Sequence, residues 1–263
     1  MRLGVIGWPV AHSRSPAMQN AALRAVGLGE TWHYGLLPVA PERFEEVVRA
    51  LPGAGFRGAN VTIPHKGAAL TLATEATGRA RAIGAANTLV FEPDGIHADN
   101  TDAPALIAAL PFGVRGRTAL VLGAGGSARA AVWGLLDAGA AEVRVWNRTS
   151  ERARRLAAEL GAVAVTRAEP ADLLVHCTSC GLTVSDRTFK QLPLAADELD
   201  RYDCVVDFVY SDTETELARS ARSLAIPVVD GLELLVGQGA LSFQQFTRLD
   251  APIDAMRTAV RAT

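Results

Sequence analysis

Lys66 is the residue of this sequence with the most distinctive candidate chemistry. The chain has 26 basic residues, and only Lys66 and Lys190 among them are lysines. Arginine stays protonated in proteins, whereas lysine can lose its proton when it is desolvated or lies near another cation. Proton transfer to or from a hydroxyl needs a group that can do both. We therefore predict that Lys66 is an acid/base group and that Asp102 hydrogen-bonds both Lys66 and the reacting hydroxyl.

Other polar side chains cluster where the predicted strands of the first hundred residues end, at residues 13–16, 60–66, 87–88 and 99–102. Ligands of open α/β sheets bind beyond the carboxyl ends of strands. Hydroxyl and amide groups suit a carboxylate and several hydroxyls, so the clusters predict a small polyhydroxylated ligand. The alternatives are an exposed surface lysine at position 66 and a helix-capping role for Asp102. For Ser15 we expect a helix cap in addition to any contact with a ligand.

Residues 123–128 read Gly-Ala-Gly-Gly-Ser-Ala and stand between an apolar strand and a helix. This context fits the G-x-G-x-x-G/A fingerprint, in which a pyrophosphate approaches the backbone at a helix N-terminus. An ordinary glycine-rich turn is the alternative. The predicted cofactor contacts are Gly123, Ala124, Gly125, Gly126, Ser127 and Ala128.

The end of the next predicted strand indicates which dinucleotide is bound. NAD-binding chains place an acidic residue there for the ribose hydroxyls, but this chain has Asn147, Arg148 and Thr149, with Arg152 one turn later. A guanidinium forks onto a phosphate, and asparagine and threonine add hydrogen bonds. We therefore predict NADP, bound through its 2′-phosphate; the alternative is a pair of solvated surface arginines.

Cys177 and Cys180 form a C-x-x-C motif, which could indicate a redox pair or a metal site. A redox pair would need a helix start at the first cysteine, and zinc would need further ligands. Neither pattern is present, so we predict no metal and expect two small buried side chains beside the cofactor loop.

Length and composition exclude several classes of function. The chain has 263 residues, 49% of them hydrophobic, and a net charge of −2. Such a length and composition predict a buried core in about two modest domains or one large one, and they offer no overall positive field for nucleic acid or a membrane surface. Its 3 cysteines argue against a disulfide framework and for a reducing, cytoplasmic location.

Two series of alternating strand and helix patterns predict an α/β fold with two domains. We expect an N-terminal open α/β substrate domain over residues 1–101, with C-terminal helices 238–263 packing back on it. Residues 102–237 are expected to form a Rossmann-type dinucleotide-binding domain.

In combination, these residues resemble the NADP-dependent shikimate dehydrogenases. The resemblance spans nearly the whole chain and rests on residues 7–16, 60–66, 84–88, 99–102, 123–128, 147–149 and 237–240. It implies reversible reduction of 3-dehydroshikimate to shikimate, with hydride from NADPH to the C3 carbonyl. This step lies on the route to chorismate and the aromatic amino acids.

The resemblance also implies roles for individual residues. Ser13 and Ser15 would hold the substrate carboxylate, with Tyr210 nearby, and Lys66 would be the acid/base group coupled to Asp102. The ring hydroxyls would be held by Thr62, Asn87, Asp102 and Gln238, with Asn60 close by. Phe208 and Gly231 would lie near the nicotinamide.

Three alternatives remain open from the sequence. They are a quinate/shikimate dehydrogenase that uses NAD, a non-catalytic NADP-binding regulatory protein, and another Rossmann reductase of a small carbonyl compound. The expected partner is the small-molecule substrate, without nucleic acid or membrane, and the expected assembly is a monomer or homodimer.

Overall fold

The computed structural model describes residues 1–181, 188–211 and 213–262. The chain divides into two compact units, which comprise residues 1–105 with 235–263 and residues 106–234. The predicted boundaries, 101/102 and 237/238, lie a few residues from these. Residue 263, the last of the predicted C-terminal segment, lies outside the described residues. The assignment of substrate to the first unit and cofactor to the second stays a prediction.

The first unit is built on a mixed six-stranded sheet. Its strands are β1 (Arg2–Gly7), β2 (His33–Pro38), β3 (Phe56–Val61), β4 (Glu75–Ala76), β5 (Thr88–Glu92) and β6 (Gly95–Asp99). The strand order is β2-β1-β3-β5-β6-β4, with β1 parallel to β2 and β3, and β5 antiparallel to both β3 and β6. The carboxyl ends of β1, β3 and β6 therefore lie at the same edge as the start of β5.

The second unit is built on a six-stranded sheet whose pairings are all parallel. Its strands are β7 (Thr118–Leu122), β8 (Glu142–Trp146), β9 (Val163–Ala164), β10 (Leu173–His176), β11 (Cys204–Asp207) and β12 (Val228–Val229). The strand order is β12-β11-β10-β7-β8-β9. This is the Rossmann-type arrangement that the sequence predicts, and the α/β fold class is confirmed.

Helices connect these strands. They are α1 (Ser15–Ala25), α2 (Phe44–Ala50), α3 (Lys66–Leu72), α4 (Gly78–Ile83), α5 (Asp102–Ala109), α6 (Gly126–Asp137), α7 (Ser150–Leu160), α8 (Thr188–Gln191), α9 (Glu216–Ser223), α10 (Gly231–Thr247) and α11 (Ile253–Arg261). Over the described ranges, none of these helices combines the length and apolar character needed to cross a membrane.

Apolar side chains cover both faces of the second sheet. On β7, Val121 packs into a cluster that includes Leu135 of α6 and Leu156 of α7. The neighbouring Leu120 points into the opposite cluster with Leu217 of α9. Because successive residues of a strand face opposite sides, a strand buried on both faces reads as a continuous apolar run.

From Leu235 onward, α10 and the following α11 belong to the first unit. Gln19 of α1 donates its Nε2 hydrogen bond to the Gly239 carbonyl of α10 at 3.0 Å. Arg14 donates to the Val260 carbonyl of α11 at 2.8 Å. These contacts hold α10 and α11 against α1 and the residue that precedes it.

Candidate active site

Lys66 and Asp102 form a buried ion pair in the first unit. Lys66 begins α3 and Asp102 begins α5. The distance from Lys66 Nζ to Asp102 Oδ2 is 2.6 Å, and the two side chains are only 10% and 8% exposed. The other carboxylate oxygen, Oδ1, accepts a hydrogen bond from Asn87 Nδ2 at 2.8 Å. A proton donor and a proton acceptor are therefore held in one fixed geometry.

The sheet edge explains why these two residues meet although they are 36 positions apart in sequence. Lys66 follows β3 and Asp102 follows β6, and both strands end at the same edge. The Ala86 backbone N–H donates to the Lys66 carbonyl at 2.8 Å, which ties the start of α3 to the segment before β5. The fold thus brings the pair together through strand direction rather than through a local motif.

Asn100 caps α5, so the alternative helix-capping role for Asp102 is wrong. Asn100 Oδ1 accepts the backbone N–H groups of Asp102 at 3.1 Å and Ala103 at 3.3 Å. Asp102 lies inside the first turn, where the helix dipole favours a negative charge. Its carboxylate remains available to Lys66 and Asn87.

Asn87 connects the predicted substrate-contacting residues to each other. Its Nδ2 donates to Thr101 Oγ1 at 2.9 Å and approaches Gln238 Oε1 of α10 at 3.3 Å. Its Oδ1 accepts the Thr101 backbone N–H at 2.8 Å. The structure therefore brings Lys66, Asn87, Asp102 and Gln238 into one hydrogen-bonded set, while their contacts with a substrate stay predictions.

Asn60 is buried and contacts this set through Asn87. Its Oδ1 accepts a hydrogen bond from the Tyr34 hydroxyl at 2.8 Å, and its Nδ2 donates to Ser242 Oγ at 2.8 Å and to the Asn87 carbonyl at 3.2 Å. These contacts hold Asn87 in place. Ser242 is absent from the sequence predictions, although its position one helical turn after Gln238 on α10 is a usable signal.

Ser13 and Ser15 lie after β1, at the same sheet edge. The prediction that Ser15 caps α1 is wrong, because Ser15 is the first helical residue and the N-cap position is Arg14, which makes no side-chain cap. Instead, Ser13 Oγ accepts the Ser15 backbone N–H at 3.3 Å. Thr62 is half-buried just after β3, and its backbone N–H donates to the Ile6 carbonyl at 2.9 Å.

The cofactor loop belongs to the second unit and joins β7 to α6. Gly123 has a φ of +120°, and a Cβ there would lie 3.0 Å from the Cys177 carbonyl, so any side chain at this position would be strained. A Cβ on Gly125, the N-cap of α6, would meet no atom within 4 Å. Ala128 is fully buried. The first turn of α6 has no acidic residue, and the space in front of its N-terminus is open. This combination fits a pyrophosphate.

The segment between β8 and α7 fits a 2′-phosphate. Asn147 Nδ2 donates to the Thr149 carbonyl at 2.9 Å, which shapes the turn, and Thr149 is the N-cap of α7. Arg148 and Arg152 are exposed on either side of Thr149. This donor set, with a helix N-terminus, is chemically suited to a phosphate dianion.

Phe208, Tyr210 and Gly231 are also residues of the second unit. Phe208 and Tyr210 follow β11 and are half-buried, and the Phe208 backbone N–H donates to the His176 carbonyl at 3.0 Å. A Cβ on Gly231 would lie 2.5 Å from the Val209 carbonyl oxygen, so the backbone is closely packed there. The roles of these three residues stay predictions.

The expectation that Cys177 and Cys180 are both buried is wrong. Both are half-buried, although the Cys177 backbone does lie against Gly123 of the cofactor loop. Over the described ranges, no group of three His, Cys, Asp or Glu residues could hold a metal ion.

Comparison with known proteins identifies the family. The family model described as "Shikimate dehydrogenase substrate binding domain" matches residues 5–89, and "Shikimate / quinate 5-dehydrogenase" matches residues 107–204. A third, "Shikimate 5'-dehydrogenase C-terminal domain", matches residues 231–261. The chain belongs to the shikimate dehydrogenase family.

Individual family members are similar over almost their whole length. The shikimate dehydrogenase (NADP(+)) of Anaeromyxobacter dehalogenans is 44% identical, with 98% of this chain and 95% of the relative covered. The enzyme of the same name from Methylobacterium radiotolerans is 45% identical, with coverage of 92% and 90%.

Solved structures of shikimate dehydrogenases share the fold. The shikimate 5-dehydrogenase of Thermus thermophilus, in complex with NADP(H) and shikimate, aligns with a TM-score of 0.87 and 38% identity over 100% of this chain and 99% of that one. The shikimate dehydrogenase of Aquifex aeolicus aligns with a TM-score of 0.88 and 32% identity, covering 99% of this chain and 97% of the other. The resemblance inferred from the motifs is thereby confirmed.

Proposed function

We propose that this chain catalyses the reversible, NADP-dependent interconversion of shikimate and 3-dehydroshikimate, a step toward chorismate and the aromatic amino acids. The family membership supports the reaction. The observation that carries the assignment of residues is the buried Lys66–Asp102 pair with its 2.6 Å contact, next to a set of amide and hydroxyl groups.

Lys66 and Asp102 handle the proton of the reaction. In the direction of oxidation, the C3 hydroxyl of shikimate loses its proton to the pair as the carbonyl forms. In reduction, Lys66 Nζ donates a proton to the developing alkoxide and stabilises its negative charge. The short contact with Asp102 lets the proton be shared, and the Asn87 amide keeps the carboxylate oriented. General acid/base catalysis of this kind contributes roughly 10²–10⁴-fold to the rate.

The remaining polar residues of the first unit would position the substrate. Ser13 and Ser15 provide hydroxyls for its carboxylate, and Tyr210, a residue of the second unit, is assigned to the same carboxylate. The ring hydroxyls are assigned to Thr62, Asn87, Asp102 and Gln238, with Asn60 close by. If a substrate lacks one of these hydroxyls, the amide or hydroxyl group that would bind it is left without a partner. The site therefore rejects such a substrate.

The second unit would hold NADP. Bound NADP⁺ supplies the acceptor for hydride from C3 of the substrate, chemistry that belongs to the cofactor. The backbone of residues 123–128 would contact the pyrophosphate, and Asn147, Arg148, Thr149 and Arg152 the 2′-phosphate. Phe208 and Gly231 are assigned to the nicotinamide end.

The alternatives are less well supported. The curated relatives carry the name of an NADP(+) enzyme, which favours NADP over NAD. Retention of the Lys66–Asp102 pair in an intact hydrogen-bonded set favours a catalyst over a regulatory relative. A cytoplasmic location and a monomeric or homodimeric assembly complete the proposal.

A spectrophotometric assay tests the proposal. The purified chain is mixed with shikimate or quinate and with NADP⁺ or NAD⁺, and the absorbance of the reduced nicotinamide is followed. We expect the highest kcat/KM for shikimate with NADP⁺. Faster reduction of NAD⁺ than of NADP⁺, or turnover of quinate but not of shikimate, would support the quinate/shikimate dehydrogenase alternative. No turnover with any pair would support the regulatory alternative.

A further inference from the structure

The hydroxyls of Thr88 and Ser242 are buried polar groups to which the proposed function assigns no role. Both residues are 0% exposed, so neither lies on a surface that a ligand could contact. Their oxygens are 2.9 Å apart, and Thr88 Oγ1 donates a hydrogen bond to Asn87 Oδ1 at 3.1 Å. A buried hydroxyl lowers stability unless it is hydrogen-bonded, so the partners of these two groups show what they do.

The sheet and α10 of the first unit bring the two hydroxyls together. Thr88 begins β5 and is the register partner of Asn60 on β3, so the two side chains share one face of the sheet. Ser242 lies on α10, and its Oγ is 2.9 Å from the Gln238 carbonyl one helical turn earlier. The backbone ladder of a helix already satisfies a carbonyl in that position. We therefore assign the Ser242 hydroxyl hydrogen to Thr88 Oγ1.

The hydrogen bonds of this series run in one direction. The Tyr34 hydroxyl donates to Asn60 Oδ1 at 2.8 Å, which turns the amide nitrogen of Asn60 toward Ser242. Asn60 Nδ2 donates to Ser242 Oγ at 2.8 Å, and an amide nitrogen can only donate. The Ser242 oxygen is therefore an acceptor on that side. Ser242 in turn donates to Thr88, and Thr88 donates to Asn87 Oδ1.

The series ends at the Asn87 amide and sets its orientation. Asn87 Oδ1 receives the Thr88 hydroxyl at 3.1 Å and the Thr101 backbone N–H at 2.8 Å, and both of these groups donate. The amide nitrogen therefore faces the other way, where Asp102 Oδ1 accepts it at 2.8 Å. A reversed amide would place its oxygen against the Asp102 carboxylate and its nitrogen against the Thr101 N–H.

We propose that Thr88 and Ser242 are positioning residues for the reaction. Their hydroxyls hold the Asn87 amide in the orientation in which it donates to Asp102, and so they fix the carboxylate that pairs with Lys66. The inference rests on the proposed function, because this pair is the acid/base group assigned there. A misplacement of about 1 Å in a catalytic group can lower the rate about 10²-fold, so partial loss of this support should lower it about tenfold.

Steady-state kinetics of matched variants test the positioning role. Thr88→Val removes the hydroxyl but keeps the shape, so kcat/KM for shikimate should fall about tenfold. The KM for NADP⁺ should stay within about twofold. Thr88→Ser keeps the hydroxyl and should restore kcat/KM to within about twofold, a rescue that a loss of packing would not show. Ser242→Ala should match Thr88→Val, and it carries the test if Thr88→Val does not fold.

A double-mutant cycle tests whether Thr88 acts through Asn87. Asn87→Ala should lower kcat/KM about 100-fold, and adding Thr88→Val to it should change kcat/KM by less than about twofold. The control is Thr247→Val on α10, which removes a hydroxyl that donates to the Phe243 carbonyl at 2.8 Å and should leave kcat/KM unchanged. Normal kcat/KM in both Thr88→Val and Ser242→Ala would overturn the proposal. So would a Thr88→Val effect that is undiminished in the Asn87→Ala background.

A measurement without turnover separates this inference from the proposed function. In NMR spectra of the ¹⁵N-labelled chain, the Asn87 side-chain amide protons should exchange with solvent at least about tenfold faster in Thr88→Val and Ser242→Ala, and at an unchanged rate in Thr247→Val. Equal exchange rates in all of these variants would overturn the proposal. An unsubstituted chain that shows no turnover but does show this exchange pattern would refute the proposed function, and it would support the orientation of Asn87 by the two hydroxyls.

Discussion

Replacing Lys66 by methionine removes the ammonium group while keeping a long, flexible side chain. The substitution breaks the 2.6 Å contact and leaves Asp102 with the Asn87 amide as its side-chain donor within the described part of the chain. Lys190, the other lysine, is exposed, so Lys190→Met is a matched control. We expect the two variants to differ in both catalysis and stability.

The expected magnitudes follow from the burial of the pair. Loss of the acid/base group should lower kcat by roughly 10²–10⁴-fold, or about 3–5 kcal/mol in activation free energy. An unpaired buried charge should also cost about 3–5 kcal/mol in the free energy of unfolding. Combining Lys66→Met with Asp102→Leu removes the orphaned carboxylate, so the double variant should regain most of that stability but none of the activity.

Three measurements check this prediction. Steady-state kinetics give kcat, urea unfolding gives stability, and calorimetry gives the affinity for NADP⁺, which should change by less than about twofold because the assigned cofactor residues lie in the other unit. A Lys66→Met enzyme that turns over normally would refute the catalytic assignment. A double variant as unstable as the single one would refute the assignment of the stability loss to the unpaired carboxylate.

Three further predictions concern other parts of the chain. Arg148→Ala should weaken NADP⁺ binding about 10–100-fold and leave NAD⁺ binding unchanged, as loss of charge-assisted hydrogen bonds costs about 1.5–3 kcal/mol; an equal loss for both cofactors in titrations would contradict it. Gly123→Ala forces a side chain into a φ of +120° and to 3.0 Å from the Cys177 carbonyl, so thermal and urea unfolding should show a loss of about 1–3 kcal/mol, and unchanged stability would be inconsistent with this geometry. Burial opposes ionisation of Asp99, but its hydrogen bonds, foremost that from Arg79, lower its pKa. The stability that Asp99 contributes is therefore fully present above its unfolded pKa of about 3.9 and is lost as the pH falls through the lower folded pKa. The difference in unfolding free energy between the unsubstituted chain and Asp99→Asn should therefore shrink below about pH 4. A difference that stays constant with pH would contradict this prediction.

The convergence of Lys66 and Asp102 was predictable from the sequence. Both follow apolar strand patterns, and a general rule places ligands beyond the carboxyl ends of strands in an open sheet. The separation of the two residues along the sequence does not matter here, because strand direction alone brings them to one edge of the sheet. The glycine loop is predictable for a related reason, since its fingerprint lies within a single strand–turn–helix segment.

Other features depend on pairing that the sequence does not display. The two-residue strand β4 exists through its register with β6, and its own residues carry no strand signal. The sequence predicts Ser15 as the cap of α1, but the Ser13 hydroxyl accepts the Ser15 backbone N–H instead. Both residues are serines, so their side-chain chemistry alone does not show which hydroxyl accepts a backbone N–H at the start of the helix. The contact of His176 with Asp207 depends on the register of β10 against β11. The sequences of two parallel strands do not specify that register, which is set when the strands pack in the sheet.

The position of bound shikimate tests the central claim most directly. In a crystal structure of the chain with shikimate, Lys66 Nζ or an Asp102 carboxylate oxygen should lie about 2.6–3.2 Å from the C3 hydroxyl oxygen, the range in which a proton can be transferred. A well-ordered shikimate whose C3 hydroxyl is beyond hydrogen-bond reach of both residues, with no bridging water, would contradict the assignment of the pair to catalysis.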